Sequence, residues 1–437
     1  MEIPIELDKE VGKALLWMHH VAGPSLTDRI EAAKTHFLKA SVPADGSILW
    51  PSPMDLLPPN DMSAGLLLQA TALVQDRRFF DARLAPRVVP FMKLMGKALR
   101  RLYFTGGAEQ RVKEFLNPKN NHPEGTLLEL AVAARYLLEG FHVKFIPESH
   151  NKTPDLELVF DEGSIKIECK RLRPGTYEEN ESNRVRQLFH PACDMVNAAA
   201  AFKHLDVTFK AELKDVPDMY LAEHMRAALD DCNNEYEWED DLGSGSIRQG
   251  DLAAVAADTE IGAILVGPKL FRLFTGSTVP SQRVMFGARG EAHELDPRYI
   301  DTFGAIALCS WDTINEESMR SRSRHFGSKL AEIDAQLAGC TLGAAHVVVD
   351  AERDSATADL RRQRIRERVC SFDFKSKIAV LTTHYLLLHT AESASWTMDE
   401  TADPAVRTTE PLLEDPRLFF SGQVLGDAPA WHLPPPN

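Results

Sequence analysis

Among the ionisable residues of the stretch TPDLELVFDEGSIKIECKR, residues 153–171, three could act together: Asp155, Glu168 and Lys170. Glu168 and Lys170 flank a single residue in a segment that alternates with Ile165, Ile167 and Cys169. On a strand the two charged side chains therefore share one face, about 7 Å apart along the chain, and the apolar set takes the other. Asp155 opens the run DLELVF, which the turn DEGS folds back as a hairpin, so its carboxylate can come beside Glu168. Two carboxylates at that separation repel unless a cation lies between them, and hard oxygen ligands suit a divalent ion, Mg2+ or Mn2+. Asp155, Glu168 and the backbone carbonyl of Cys169 would be the ligands. Lys170 could then orient or help deprotonate a water and stabilise charge on a phosphate, which is the chemistry of phosphodiester hydrolysis. The competing reading is a surface ion pair on a half-exposed strand, worth under about 1 kcal/mol.

Such a hairpin needs a frame. After NPKNNHPEG a helix is expected, with Pro123 and Glu124 in its first turn, running through TLLELAVAARYLLE to a stop at Gly140. From Phe141 the apolar period becomes two, and FHVKFIPE, DLELVF and SIKIECKR read as three short strands. Upstream, apolar residues at helical spacing over 9–18, 26–40, 64–77 and 85–103 predict a helical region occupying residues 1–118. Downstream come a helix within 179–202, a strand in LDVTFKAEL, a helix over 217–232 and an acidic, Gly- and Ser-rich loop over 233–250. Strands near GAILVG, FGAIALCSW, AHVVVDAE and IAVLTTHYLLL follow, with helices over 316–338 and 357–370 between the last three. Residues 393–437 read as an irregular tail. The fold class is α/β.

The pair PD at 154–155 followed by ECK at 168–170 resembles the PD-(D/E)XK nuclease superfamily, the restriction-endonuclease-like fold. In that family a helix carrying a glutamate precedes the three strands, and TLLELAVAARYLL places Glu129 there. The resemblance spans about 123–173. It implies a core of helix, three strands, helix and strand within 119–392, with Asp155 and Glu168 on the metal, Lys170 serving the attacking water and Glu129 supporting the metal or its waters. Two units could complete the sheet: 182–202 with DVTFKAEL, or 319–338 with HVVVDAE. The second is preferred, turns Gln336 toward the site and makes 174 to about 300 an insertion. The expected function is a Mg-dependent endonuclease or exonuclease, acting on DNA ahead of RNA. The alternative is an inactive module of the same fold that binds nucleic acid or, through an acidic surface, a protein partner; a homodimer is compatible with either.

The net charge of −15 does not exclude a nucleic-acid partner, because acid concentrates in DDCNNEYEWEDD while RSRSRH and RRQRIRER are basic. Arg171, Arg173, Arg184 and Arg186 follow the motif and could meet phosphates, though ordinary solvated charge is an equal reading. The arginine-rich helix in 359–369 reads as salt-bridged and exposed. No stretch reaches the roughly 20 apolar residues of a membrane span, and the N-terminus MEIPIELDKEVGK has no signal-peptide pattern, which points to the cytoplasm. Six cysteines without a C-x-x-C pair argue against a zinc site and a disulfide framework. His19, His20, His122, His142 and His150 have no metal-ligand spacing, and phosphate-loop and nucleophile-elbow patterns are missing.

Overall fold

The computed structural model describes residues 8–41, 48–75, 79–81, 83–147, 153–172, 176–231, 235–260, 262–277, 283–294, 296, 298–351, 356–390, 396–407, 412–419 and 423–426. The chain opens with α1 (Lys9–Ala22), α2 (Ser25–Ser41), the short β1 (Ile48–Leu49), α3 (Met62–Val74), α4 (Val89–Leu102) and α5 (Ala108–Phe115). Helix α3 is apolar all round and buried along its whole length, as an interior helix must be. Helix α4 crosses α1 so closely that a Cβ on Gly96 would lie 1.9 Å from the Glu10 carbonyl oxygen, so only glycine fits. Next come α6 (Pro123–Leu138), β2 (His142–Phe145), β3 (Leu156–Phe160) and β4 (Gly163–Arg171). Pro123 occupies the first turn of α6, where its missing N–H costs nothing.

The middle of the chain supplies α7 (Thr176–Ala198), β5 (Phe202–Phe209), α8 (Tyr220–Asp230), β6 (Glu235–Glu239), β7 (Gly243–Gln249), α9 (Leu252–Thr259), β8 (Ile264–Leu265), α10 (Pro268–Thr275), β9 (Val284–Ala292) and β10 (Tyr299–Thr313). The last part adds α11 (Glu316–Gln336), β11 (Gly343–Asp350), α12 (Ala356–Ser371), β12 (Ile378–Thr390), β13 (Trp396–Val406) and β14 (Gln423–Gly426). These strands form two mixed sheets, so the molecule is a mixed α/β structure. Among the described residues no helix is long and apolar enough to cross a membrane.

One sheet runs β14-β13-β12-β11-β4-β3-β2. Strand β11 lies parallel to β4, pairing His346 with Cys169 and Val347 with Lys170. Of the two units that could follow β4 in the sheet, it is therefore the one behind α11 that does so. One face, bearing Leu156, Ile167, Cys169, Ala344 and Val348, shares its core with α6 and the N-terminal helices. The other, bearing Ala345, Val347 and Val349, packs against Phe326, Leu330 and Ile333 of α11.

The other sheet runs β1-β9-β10-β5-β7-β6, with β8 on β10. Helices α7 and α8 share a core with one of its faces, α9 and α10 with the other. Two expectations need correction, and some elements are additional. The stretch 233–250 is no loop: 235–249 forms the β6–β7 hairpin, in which Tyr236 and Trp238 turn toward the sheet and three glutamates turn out. Strand β9 and helices α9 and α10 were not foreseen. Within the expected irregular tail, β13 pairs with β12 through eleven residues, Trp396 to Val406. Pro404 is tolerated there because β14 covers only Trp396–Met398, leaving the outer edge at Pro404 unpaired by β14. Residues 393–395, 408–411, 420–422 and 427–437 of that stretch lie outside the described residues.

Candidate active site

The β3–β4 ladder ends at the pair Leu156 and Ile167. Just beyond it, Asp155 continues the pairing with different atoms: its N–H donates to the Ile167 carbonyl at 3.0 Å, and its own carbonyl accepts from Ile146 N at 2.9 Å. Its side chain turns inward, and Oδ2 accepts the Cys169 amide at 2.7 Å. Asp155 is thereby tied to two neighbouring segments, and its carboxylate is fixed beside the residue that follows Glu168.

Glu168 has no exposed surface. Its Oε1 lies 2.5 Å from Lys170 Nζ, yet neither of its oxygens accepts a hydrogen bond of good geometry among the described residues. Lys170 Nζ also donates to Gln336 Oε1 at 2.7 Å, and Gln336 Nε2 in turn reaches the Thr153 carbonyl at 3.3 Å. From the other side α6 presents Glu129, whose Oε2 is 3.1 Å from Arg111 Nε. Arg111 further holds Glu114 Oε2 at 2.7 Å and the Ile146 carbonyl at 3.1 Å.

The electrostatics follow from this placement. Burial, reinforced by the charge of Asp155, pushes the Glu168 carboxyl up to about 8 against the pull of Lys170. Burial and then Asp155 raise Glu129 well above the usual carboxylate range, with Arg111 opposing and Glu168 adding to the rise. Lys170 would lose its proton more easily through burial, but Glu168 and Asp155 outweigh that and hold it as an ammonium. Were all three carboxyls ionised, they would outnumber Lys170 and Arg111, the situation that a bound divalent ion would relieve. Among the described residues, no group of three or more His, Cys, Asp and Glu side chains is already arranged to hold a metal. Lys170 and Arg111 take up carboxylate oxygens instead. The donor chemistry nevertheless fits a hard cation, since Glu168 and Asp155 offer buried carboxylate oxygens close enough to raise each other, and Lys170 is the cation a metal would have to displace or share.

Glu129, Asp155, Glu168 and Lys170 lie within one another's electrostatic reach, and Gln336 touches Lys170. The ion pair of the competing reading is present, but at the Glu168 end it is wholly buried rather than on the surface. Cys169 places its side chain in the core, where burial raises the thiol, and its backbone N–H serves Asp155. The arginines behind the motif do not form a phosphate-binding row. Arg171 is buried in an ion pair with Asp350, which also meets Arg87. Arg184 caps the carbonyls of Leu213 and Val216 and pairs with Asp218. Arg186 is exposed, and Arg173 lies outside the described residues. In the arginine-rich α12, Arg361 pairs with Glu178 and Arg362 with Asp403. The basic run in α11 contains Arg322, which is buried against Glu181.

Two groups escaped the sequence reading. Arg111 lies three residues after Ala108 and four before Phe115, both buried, so helical spacing did put a guanidinium on the inner face of α5. The second is a buried chain: Tyr136 Oη to His346 Nε2 at 2.9 Å, His346 Nδ1 to His384 Nε2 at 2.8 Å, and His384 Nδ1 to Glu400 Oε1 at 2.6 Å. Its members come from α6, β11, β12 and β13, and no local motif joins them.

No protein-family model matches the chain, and no curated protein is significantly similar to it.

Proposed function

We propose that this chain is a metal-dependent nuclease of the restriction-endonuclease-like kind, hydrolysing phosphodiester bonds, of DNA ahead of RNA. One observation carries the reading: a fully buried Glu168 whose oxygens accept no hydrogen bond of good geometry, set in the field of Asp155 and contacted by Lys170. Burying a carboxylate beside another carboxylate costs stability that its ion pair with Lys170 only partly offsets, the kind of cost that collects at functional sites. The sheet order around β4, with α6 before it and the α11–β11 unit after it, supports the same reading through the family resemblance.

Asp155 and Glu168 would hold Mg2+ or Mn2+ with the Cys169 carbonyl, and Glu129 would bind its waters. The ion, when bound, supplies charge neutralisation at the phosphate and activation of water. Lys170 is raised in pKa, so it acts here as a donor that orients water and balances phosphate charge rather than as a base. Gln336 fixes the Lys170 ammonium, and Asp155 fixes the strand end that carries the Cys169 carbonyl. Arg111 keeps Glu129 in place.

A second reading, an inactive module of the same kind that binds nucleic acid or a protein, is favoured by one feature: Lys170 already neutralises Glu168 without a metal. Incubating the purified protein with mixed DNA and RNA, with and without Mn2+, separates the two. The nuclease reading expects Mn2+-dependent cleavage that Lys170→Ala abolishes; binding without cleavage supports the module.

A further inference from the structure

The buried chain from Tyr136 to Glu400 has no part in the chemistry above, yet it begins on the helix that carries Glu129. Tyr136, His346, His384 and Glu400 are each at most 3% exposed. Every link needs one hydrogen, and with both imidazoles neutral the donors and acceptors allow one direction. Glu400 already accepts Leu418 N at 2.9 Å and Phe419 N at 2.5 Å, so His384 Nδ1 must be the donor to it. His384 Nε2 then accepts from His346 Nδ1, and His346 Nε2 accepts from the Tyr136 hydroxyl. Burial, with Cys169 nearby, raises the Tyr136 pKa, consistent with a hydroxyl that keeps its proton and donates.

This chain connects two distant parts of the molecule. At one end, Tyr136 follows Glu129 by seven residues on α6, which places both on the same side of that helix. At the other, Glu400 grips the segment 415–419 near the end of the chain. The same segment is gripped a second time by α6 itself, because Arg135 Nε donates to the Arg417 carbonyl at 2.9 Å and Nη2 to the Asp415 carbonyl at 3.1 Å. Phe419 closes the arrangement against Phe91 of α4, ring centroids 5.0 Å apart. Along the sheet, His346 pairs with Cys169, next to Glu168.

We infer that Tyr136, His346, His384 and Glu400 are positioning residues for the candidate active site: the chain fixes the rotation of α6, and so the carboxylate of Glu129, and makes that position depend on the docking of residues 415–419. The inference rests on the nuclease reading for its consequence, but the mechanical coupling stands apart from it. A partly satisfied buried network loses its geometry as a unit, so a change at Glu400 is felt at α6 although Glu400 donates nothing to α6.

Two near-isosteric variants test it, Tyr136→Phe and Glu400→Gln, each read against wild type well below its melting temperature. Hydrogen exchange is measured without metal, and Mn2+ affinity and cleavage are measured alone and combined with Glu129→Gln. The inference expects faster exchange over 123–130 in both variants, and loss of Mn2+ affinity and cleavage by about tenfold to a hundredfold, as for other groups that orient a ligand. In the Glu129→Gln background neither variant should cause a further loss, because both act through Glu129. Exchange confined to 396–419 in Glu400→Gln, or losses that add fully to that of Glu129→Gln, would overturn it. Should Glu400→Gln fail to fold, Tyr136→Phe alone decides by the same measures. If wild type neither binds Mn2+ nor cleaves, the nuclease reading fails, and exchange over 123–130 alone upholds or overturns the coupling.

Discussion

Asp240, in the turn between β6 and β7, and Glu168, within β4, are carboxylates of the two sheets that are treated in opposite ways. Asp240 closes the β6–β7 hairpin, and its oxygens accept the amides of Leu242 at 2.8 Å and Gly243 at 2.9 Å and the Tyr220 hydroxyl at 3.0 Å. Burial alone would raise it, but those donors outweigh burial and hold it below the usual range. Trp238 Nε1 completes the group by donating to Tyr220 Oη at 2.9 Å. Glu168 is more deeply buried, and burial with the charge of Asp155 raises it to about 8 in spite of Lys170. A satisfied carboxylate is held low in its turn; an incompletely satisfied one beside another carboxylate is held high despite its lysine.

The largest effect should come from the unsatisfied site. Lys170→Ala and Asp155→Ala are each expected to lower Mn2+-dependent cleavage about 100-fold or more, measured as initial rates on a labelled DNA. The pH dependence sharpens the contrast. Glu168 titrates near 8 in the folded protein against 4.5 when unperturbed, so the native state binds the extra proton between those values. Its contribution to stability is complete below about 4.5 and is lost as pH rises through about 8. Urea midpoints measured across that range should therefore decline with pH in wild type, and Glu168→Gln should flatten the decline. Arg111→Met removes the cation from buried Glu129 and should cost about 3–5 kcal/mol in urea unfolding. Asp240→Ala should cost about 1–3 kcal/mol by the same assay and leave cleavage unchanged. The smallest effect is at Arg320, whose partners Glu316 and Glu317 are exposed; Arg320→Ala should shift stability by under about 0.5 kcal/mol.

Much of the first sheet was legible because its signals are local. Alternation in SIKIECKR, the turn DEGS and the proline-opened helix ending at Gly140 are each coded by neighbouring residues, and the elements they fix carry Asp155, Glu168 and Glu129. The β6–β7 hairpin was hidden by composition. Three outward glutamates and the Gly243–Ser246 run read as a solvated loop, although Tyr236 and Trp238 do alternate with the acids. Glycine is required there: a Cβ on Gly245 would lie 2.4 Å from both the Asp206 carbonyl oxygen and the Trp238 ring. Strand β13 was hidden by Pro404 and its acidic residues, and its pairing with β12 is not coded locally. The buried chain was the least legible. Tyr136 and Glu400 are separated by 264 positions, and each histidine looks like an ordinary strand residue until β11, β12 and β13 are laid side by side.

The measurement that tests the central claim most directly is calorimetric titration of Mn2+ into wild type and into Glu168→Gln near pH 8. Wild type should bind the ion with release of a proton from Glu168, more tightly as pH rises toward about 8, and Glu168→Gln should lose that binding and its pH dependence. Equal binding by both proteins, or none by either, would contradict the account.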